Sequence, residues 1–395
     1  MENGEWRITP ISGGVCAVEG IYAGGVNAGF KKEGYDLGFI RSEKEMKIAY
    51  LFTTNKFQAA PIKYVLKNNI KTTNFILANS KNANALTGEK GIGDIEEILQ
   101  YLSHKTETTN PIMSSTGVIG VRLDKEKIKN GIDKLDLSSK DSVSFAKAIM
   151  TTDSFYKQIA FEVEGEFGKF RIGGVAKGAG MINPQMATML CFIVTDAAIK
   201  EDEMKELLTE INEKSFNAIS VDGDTSTNDS VFLATTAEGG YNKEAFREAL
   251  KQVMLKLALD IVKDGEGANK LVAFEVSGAK DKKEAKIAAK NLTNSLLVKT
   301  AIFGEDPNWG RIASTIGASG IECYEDKMVI KIGEVLVYDK GEILFTEEIE
   351  KKAHNVMKQE SFKISVDLGV GRGKFTAYGC DLSYEYVKIN AEYRT

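Results

Sequence analysis

At 395 residues, 43% of them hydrophobic and 27% charged, the chain has ordinary globular composition and is long enough for two or three domains. Its formal net charge of -5, with no uninterrupted basic block and no aromatics interleaved with basic residues, excludes a nucleic-acid role built on electrostatics. Cys16, Cys191, Cys323 and Cys380 are scattered without a CxxC pair and His104 and His354 stand apart, so no metal site is expected and the thiols read as reduced and inert.

The opening MENGEWRITP has no apolar h-region, and no apolar run approaches membrane-spanning length. The expectation is a cytoplasmic protein without membrane contact. The first ninety residues read as short strands between glycine turns, with β-like DLGFIRS, MKIAYLFTTN and TTNFILANS. DIEEILQYLSHK follows as a helix with Ile95, Ile98, Leu99 and Leu102 on one stripe and Asp94 as N-cap. NPIMSSTGVIG (110–120) reads as a strand ending in a tight turn, and VSFAKAIMTTDS as a helix entering a polar loop. Residues 159–164 alternate and Gly165–Gly168 supplies a turn, which predicts a hairpin whose return strand runs into the glycine-rich 173–180.

MATMLCFIVTDA is almost wholly apolar after Thr188, the pattern of a strand buried on both faces. Helices are expected near Asp202 and Asn242, the second with Phe246, Leu250, Val253, Leu257 and Ile261 on one side. LVAFEV (271–276) predicts a strand, and KKEAKIAAKNLTNSLLVKTAIFG a second long helix. The last hundred residues lean towards strands through the terminal SYEYVKINAEYRT. Helices between central strands, without strict βαβ alternation, point to an α/β chain built as an α/β/β/α sandwich. A composition shift places a boundary near 280: a catalytic α/β core over 1–280, then a smaller C-terminal α+β domain over 281–395 whose tail returns to the site.

The candidate chemistry centres on GGVAKGAGMINPQMATML (173–190). Thr188 is either a buried hydroxyl or, if the Ala187–Thr188 bond is cut, an N-terminal nucleophile whose own amine serves as base. Lys177, eleven residues earlier, is either solvated or the cation that keeps such an amine neutral. Thr116-Gly117 is either a turn or a hydroxyl and amide that receive an oxyanion. Glu266, between Gly265 and Gly267, is either a surface charge or a partner for a ligand ammonium. The glycine clusters match neither GxGxxG between strand and helix nor GxxxxGK[ST], so no nucleotide loop is expected.

FTTNKFQAAPIK, ANSKNANALTG, SSTGVIG, AIMTTD, KGAGMINPQMATML, GDTSTNDS, DGEGANK, FGEDPNWGRI and GRGKFTAYGCDLSYEYVKINAEYRT together resemble the ornithine acetyltransferase family, the arginine-biosynthetic glutamate N-acetyltransferases, over nearly the whole chain. The resemblance implies the sandwich fold of the D-aminopeptidase and ornithine acetyltransferase type. It implies autocatalytic cleavage between Ala187 and Thr188 into an α-chain (1–187) and a β-chain (188–395). Thr188 would be nucleophile, Thr116 and Gly117 the oxyanion pair with Lys177 beside them. Thr151, Lys177, Thr188, Glu266, Asn390 and Thr395 would contact substrate; Thr151 is preferred to Thr152 on spacing.

The implied reaction moves acetyl from N-acetylornithine to glutamate by ping-pong chemistry through acetyl-Thr188, with no bound cofactor and acetyl-CoA as a candidate second donor. The implied assembly is an (αβ)2 heterotetramer. Asn183-Pro184-Gln185 stands where family members often read His-Pro-Asn, and Lys81 where they often have Gly; neither removes a proposed nucleophile or oxyanion donor. The rival functions are a self-processed N-terminal-nucleophile aminopeptidase or amidase, which passes its acyl group to water, and a non-enzymatic binding or assembly protein with an uncut chain.

Overall fold

The computed structural model describes residues 6–183 and 189–392. Nine strands form the larger sheet: β1 (Trp6–Ile11), β2 (Ile21–Val26), β3 (Leu37–Phe52), β4 (Thr72–Asn79), β5 (Ile112–Ser115), β6 (Lys157–Gly165), β7 (Gly168–Lys177), β8 (Leu190–Ala197) and β9 (Ser230–Gly239). Their order is β1-β6-β7-β8-β9-β3-β4-β5, with β2 paired to β3. The helices interleaved with them are α1 (Ala60–Lys67), α2 (Gly88–Lys105), α3 (Lys125–Ile132), α4 (Ser142–Ala148), α5 (Glu201–Asn212) and α6 (Lys243–Lys263).

This sheet is doubled over at β3. Residues 37–41 of that sixteen-residue strand pair with β4, residues 47–52 pair with β9, and the register shifts between Arg41 and Met46. The alternation of side chains then makes three cores. Cys191, Ile193 and Leu233 face α5 and α6, whereas their neighbours Phe192, Val194 and Phe232 face inward onto Ile40, Ile76 and Ile112 of the other half. On that half Phe39, Phe75, Leu77 and Met113 point outward onto α2 and α3. Helices, strands, strands and helices are thus stacked in four layers, the expected α/β/β/α sandwich. A strand buried on both faces must be apolar at consecutive positions, which is why residues 189–194 read as they do. Each such large side chain withdrawn from water contributes about 1.5–3 kcal/mol before conformational entropy is set against it.

The smaller sheet is ordered β13-β12-β11-β14-β10-β15, from β10 (Leu271–Ala279), β11 (Val329–Ile332), β12 (Val335–Asp339), β13 (Glu342–Ile343), β14 (Ser361–Asp367) and β15 (Gly373–Cys380). Its helices are α7 (Lys282–Asn294), α8 (Leu296–Phe303), α9 (Trp309–Gly317), α10 (Glu347–Met357) and α11 (Tyr384–Glu392). β10 precedes residue 280 but pairs with β14 and β15 inside this sheet. Ile219, in the segment between α5 and β9, bridges to Tyr378 of β15, and α6 also packs against that strand.

The β6–β7 hairpin forms as expected, with Gly165 opposite Gly168. α6 begins at the expected Asn242, whose side chain accepts from the amides of Glu244 and Ala245. Three expectations need correction. Asp94 does not cap its helix: α2 starts at Gly88, and the buried Asp94 carboxylate pairs with the Arg122 guanidinium, 2.9 Å from Nε. The long helix expected after residue 281 is broken at Ser295, whose extended backbone ends α7 and whose hydroxyl accepts from Val298 N to begin α8. The SYEYVKINAE run is helical rather than extended: α11 leaves the edge strand β15 and places Tyr386 and Asn390, four residues apart, on one side.

Candidate active site

The ends of β5 and β7 and the loops after α6 and before β9 converge on one cleft of about 190 Å³. It is lined by Thr116, Gly117, Thr151, Lys177, Glu266 and Asn390, six positions singled out from the sequence, together with Thr152, Asp222, Asp224, Ser226, Asn228 and Tyr386. Ala187, Thr188 and Thr395 lie outside the described residues.

Lys177, the last residue of β7, is almost fully buried. Its Nζ donates to Thr151 Oγ1 at 2.9 Å and to Thr116 Oγ1 at 3.3 Å. An ammonium has donors only. Thr116 must therefore accept from it, leaving its own hydroxyl proton to be given elsewhere. Burial lowers the pKa of Lys177 and the Lys157 ammonium adds to this, while Asp153, Asp229 and Glu266 pull it back up. Burial also opposes the charge on Asp153, but the ammoniums of Lys177 and Lys157 outweigh it and hold that carboxyl well below its ordinary range.

Gly117 follows Thr116 with φ +133, and a Cβ there would stand 2.3 Å from the carbonyl carbon of Lys81. Only glycine lets the two backbones come this close. The opposing turn is itself tightly wound, with Lys81, Asn84 and Leu86 all at positive φ. Thr116 N donates to Asn79 O (3.1 Å), and Asn228 Nδ2 ties Ala83 O (2.6 Å) to Ser115 O (2.8 Å) across the cleft floor.

Glu266 is brought in from the end of α6, its amide donating to Ala179 O at 2.9 Å. Its carboxylate accepts from Asn390 Nδ2 of α11 at 2.6 Å. α11 is anchored by Ser383 Oγ to Gly267 O (2.6 Å), and the Asp381 carboxylate accepts from the amides of Asn269 and Lys270. Burial pushes the Tyr386 phenol up, with Asp222 and Glu266 adding to it.

The residues bordering 184–188 are held on both sides by one loop. Asp222 accepts from Met181 N (2.5 Å) and Ile182 N (2.8 Å), and Asn183 Nδ2 donates to Gly223 O (2.9 Å). On the other side Met189 N donates to Asp229 Oδ1 at 2.9 Å. Burial raises the Asp229 carboxyl well above its ordinary range, against the Met189 amide and Lys177. Asp222, Asn228 and Asp229 were not singled out by sequence, although DGDTSTNDS (222–230) concentrates the needed acids, amide and hydroxyls in nine residues. Among the described residues no group of three His, Cys, Asp or Glu side chains is placed to hold a metal ion.

The ArgJ family model matches residues 22–395. The chain belongs to the ArgJ family. It is an enzyme, an acetyltransferase of arginine biosynthesis, as the resemblance implied. The arginine biosynthesis bifunctional protein ArgJ of Wolinella succinogenes is 61% identical over 391 residues, covering 98% of this chain and 99% of that protein. The glutamate N-acetyltransferase of Methanocaldococcus jannaschii is 44% identical over 410 residues, with coverage of 98% and 99%. The crystal structure of ArgJ from Bacillus halodurans is 41% identical, covers 50% of this chain and 96% of its own, and superposes with a TM-score of 0.47. Among the described residues no helix is long and apolar enough to cross a membrane.

Proposed function

We propose that this ArgJ-family enzyme moves acetyl from N-acetyl-L-ornithine to L-glutamate through an ester on Thr188, after the chain cuts itself between Ala187 and Thr188. The observation that supports the reading best is the donor-only Lys177 ammonium set against the hydroxyls of Thr116 and Thr151 in a cleft shared with Gly117 and Glu266.

In the precursor the Thr188 hydroxyl attacks the Ala187 carbonyl; the resulting ester is hydrolysed and the Thr188 amine is freed. In the mature enzyme that amine takes the proton of the Thr188 hydroxyl as its oxygen attacks the acetyl carbonyl of N-acetylornithine. The Thr116 hydroxyl and Gly117 amide donate to the tetrahedral oxyanion. The C–N bond then breaks, the proton passes to the departing amine, and ornithine leaves. The amine of glutamate attacks the acetyl ester by the reverse path, giving N-acetylglutamate and free Thr188. Lys177 contributes in two ways: it orients Thr116 as a donor, and its charge disfavours protonation of the nearby α-amine. Glu266, aligned by Asn390, offers a carboxylate to a substrate ammonium, and Thr151 and the terminal Thr395 complete the substrate contacts.

The reaction exchanges one amide for another, so the mechanism calls for no bound cofactor. Acetyl-CoA is proposed as a second donor to the same threonine, on the bifunctional name of the Wolinella relative. We further propose a cytoplasmic (αβ)2 assembly of the two cut chains.

The test is the intact mass of untagged protein under denaturing conditions, with N-terminal sequencing and an exchange assay on the same sample. The expected result is two chains, one beginning TMLCFIVTDA, and loss of acetylornithine only when glutamate is present. Equal loss without glutamate would replace transfer by hydrolysis. Normal cleavage in Thr188→Ala would remove Thr188 from the mechanism.

A further inference from the structure

Behind the cleft lies a buried ion cluster that the transfer chemistry does not touch. Lys157, the first residue of β6, is wholly buried, and its Nζ lies 2.8 Å from Asp153 Oδ1 and 2.5 Å from Asp264 Oδ2. The side chains of Asp153 and Asp264 are likewise buried. Burying three charges is costly unless each is paired and hydrogen-bonded, and removing one member leaves an uncompensated charge in the interior.

Each of the two aspartates is also fixed to a segment that carries a cleft residue. Asp153 accepts from Thr151 N (3.0 Å) and from Gly178 N (2.7 Å), the residue after Lys177. Asp264 accepts from Ser154 N at 3.1 Å and from the Ser154 hydroxyl, and it stands two residues before Glu266. Thr151, Lys177 and Glu266 therefore each lie within two residues of an atom bound to one cluster, although they come from three separate parts of the chain.

We propose that Lys157, with Asp153 and Asp264, is a positioning residue for acetyl transfer: it locks the 151–154 turn, the end of β7 and the end of α6 into one frame that sets the place and charge of Lys177. The proposal rests on the reading of the cleft as an acetyl-transfer site. Lys157 does not line the cleft. Its effect reaches the reaction through Thr151, Lys177 and Glu266.

The charged groups that act on Lys177 are Asp153, Lys157, Asp229 and Glu266, with Lys31 also close enough to interact with it. Removing a cation from this set stabilises the Lys177 ammonium, and removing an anion destabilises it. On the alkaline side the transfer rate falls as Lys177 loses its proton and its nitrogen becomes able to accept from Thr116. Lys157→Met and Asp153→Asn must therefore move that limb in opposite directions, up in pH for the first and down for the second. A merely structural role would lower activity without that antisymmetry.

The experiment is the pH profile of kcat for glutamate-dependent acetyl exchange in the cleaved wild-type enzyme, in Lys157→Met, in Asp153→Asn and in the double variant. Thermal unfolding is followed alongside. A misplacement of about 1 Å costs on the order of 10²-fold, so kcat should fall by about that factor in Lys157→Met with KM changing much less. The double variant, with charge balance restored, should lose less than the product of the single losses. Folded variants whose limbs stay put, or move the same way, overturn the proposal. Should Lys157→Met fail to fold, the isosteric Asp153→Asn decides alone: a limb moved to lower pH supports the frame, and an unmoved limb overturns it. A wild-type enzyme without glutamate-dependent exchange would instead overturn the transfer reading, and this inference with it.

Discussion

Gly117→Ala isolates the close approach on which the oxyanion pair depends. The added methyl would lie 2.3 Å from Lys81 C, 2.5 Å from Asn82 N and 2.6 Å from Lys81 Cα, all backbone atoms that cannot rotate away. Reaching ordinary contact requires the two turns to part by about 1 Å, enough in a catalytic site to cost on the order of 10²-fold. The φ of +133 adds about 1–3 kcal/mol of backbone strain, and overpacking a further 1–3 kcal/mol or so. Gly120, three residues on, is the control: its φ is +82, but a methyl there meets nothing within 4 Å. We expect Gly117→Ala to lower kcat/KM for acetyl exchange about 10²-fold and to melt earlier. Gly120→Ala should lose only stability, by roughly 1 kcal/mol. Steady-state exchange kinetics and thermal unfolding of both variants provide the check. Wild-type kcat/KM in Gly117→Ala, or equal damage from Gly120→Ala, would refute the reasoning.

Thr116→Ala removes the hydroxyl that Lys177 orients; kcat for exchange should fall ~10²–10³-fold, and an unchanged rate would leave Thr116 a turn residue. Asn390→Ala deletes the 2.6 Å bond to the Glu266 carboxylate. A hydrogen bond to a charged group is worth about 1.5–3 kcal/mol, so KM for the ammonium-bearing substrate should rise roughly 10–100-fold in initial-rate measurements. Burial, with Lys286 adding to it, pushes the Lys290 ammonium down to about 7. An unfolded lysine keeps its proton to about 10.4. Between those values the unfolded chain binds more protons, so this group makes the fold more stable as pH rises, and below the lower value its burial cost is felt in full. Melting temperatures measured across that window should climb less steeply in Lys290→Met than in the wild type, and equal slopes would assign the trend to other groups.

Much of the fold was legible because burial leaves a periodic mark. The doubly buried β8 reads as an unbroken apolar run, the β6–β7 hairpin as alternation around a glycine turn, and α6 as a stripe behind a capping asparagine. What was not legible had no such mark. Ser295 interrupts a pattern that stays helical on both sides, and α11 buries none of its residues, so no periodicity announces it. The site is harder still. Lys177 and Thr116 are 61 residues apart and Glu266 and Asn390 are 124 apart, so spacing alone could not join them. Residue chemistry put Thr116, Lys177 and Glu266 forward one by one, and the resemblance added Asn390 and set them in one site; its motifs AIMTTD and DGEGANK hold Asp153 and Asp264 but not Lys157, since a lysine opening a strand reads as an exposed charge.

The strand order of the larger sheet has a bearing on what a cut at 187–188 would produce. β8 and β9, the only described strands of that sheet after the cut, lie in its middle, with β7 on one side and β3 on the other, both from the first segment. The two pieces would be woven together like warp and weft, not joined like beads. Drawing one out would tear two rows of strand hydrogen bonds and open two of the three large-sheet cores at once. Such halves would travel as a single body through purification and turnover, and neither, made alone, would have the complete larger sheet to fold around.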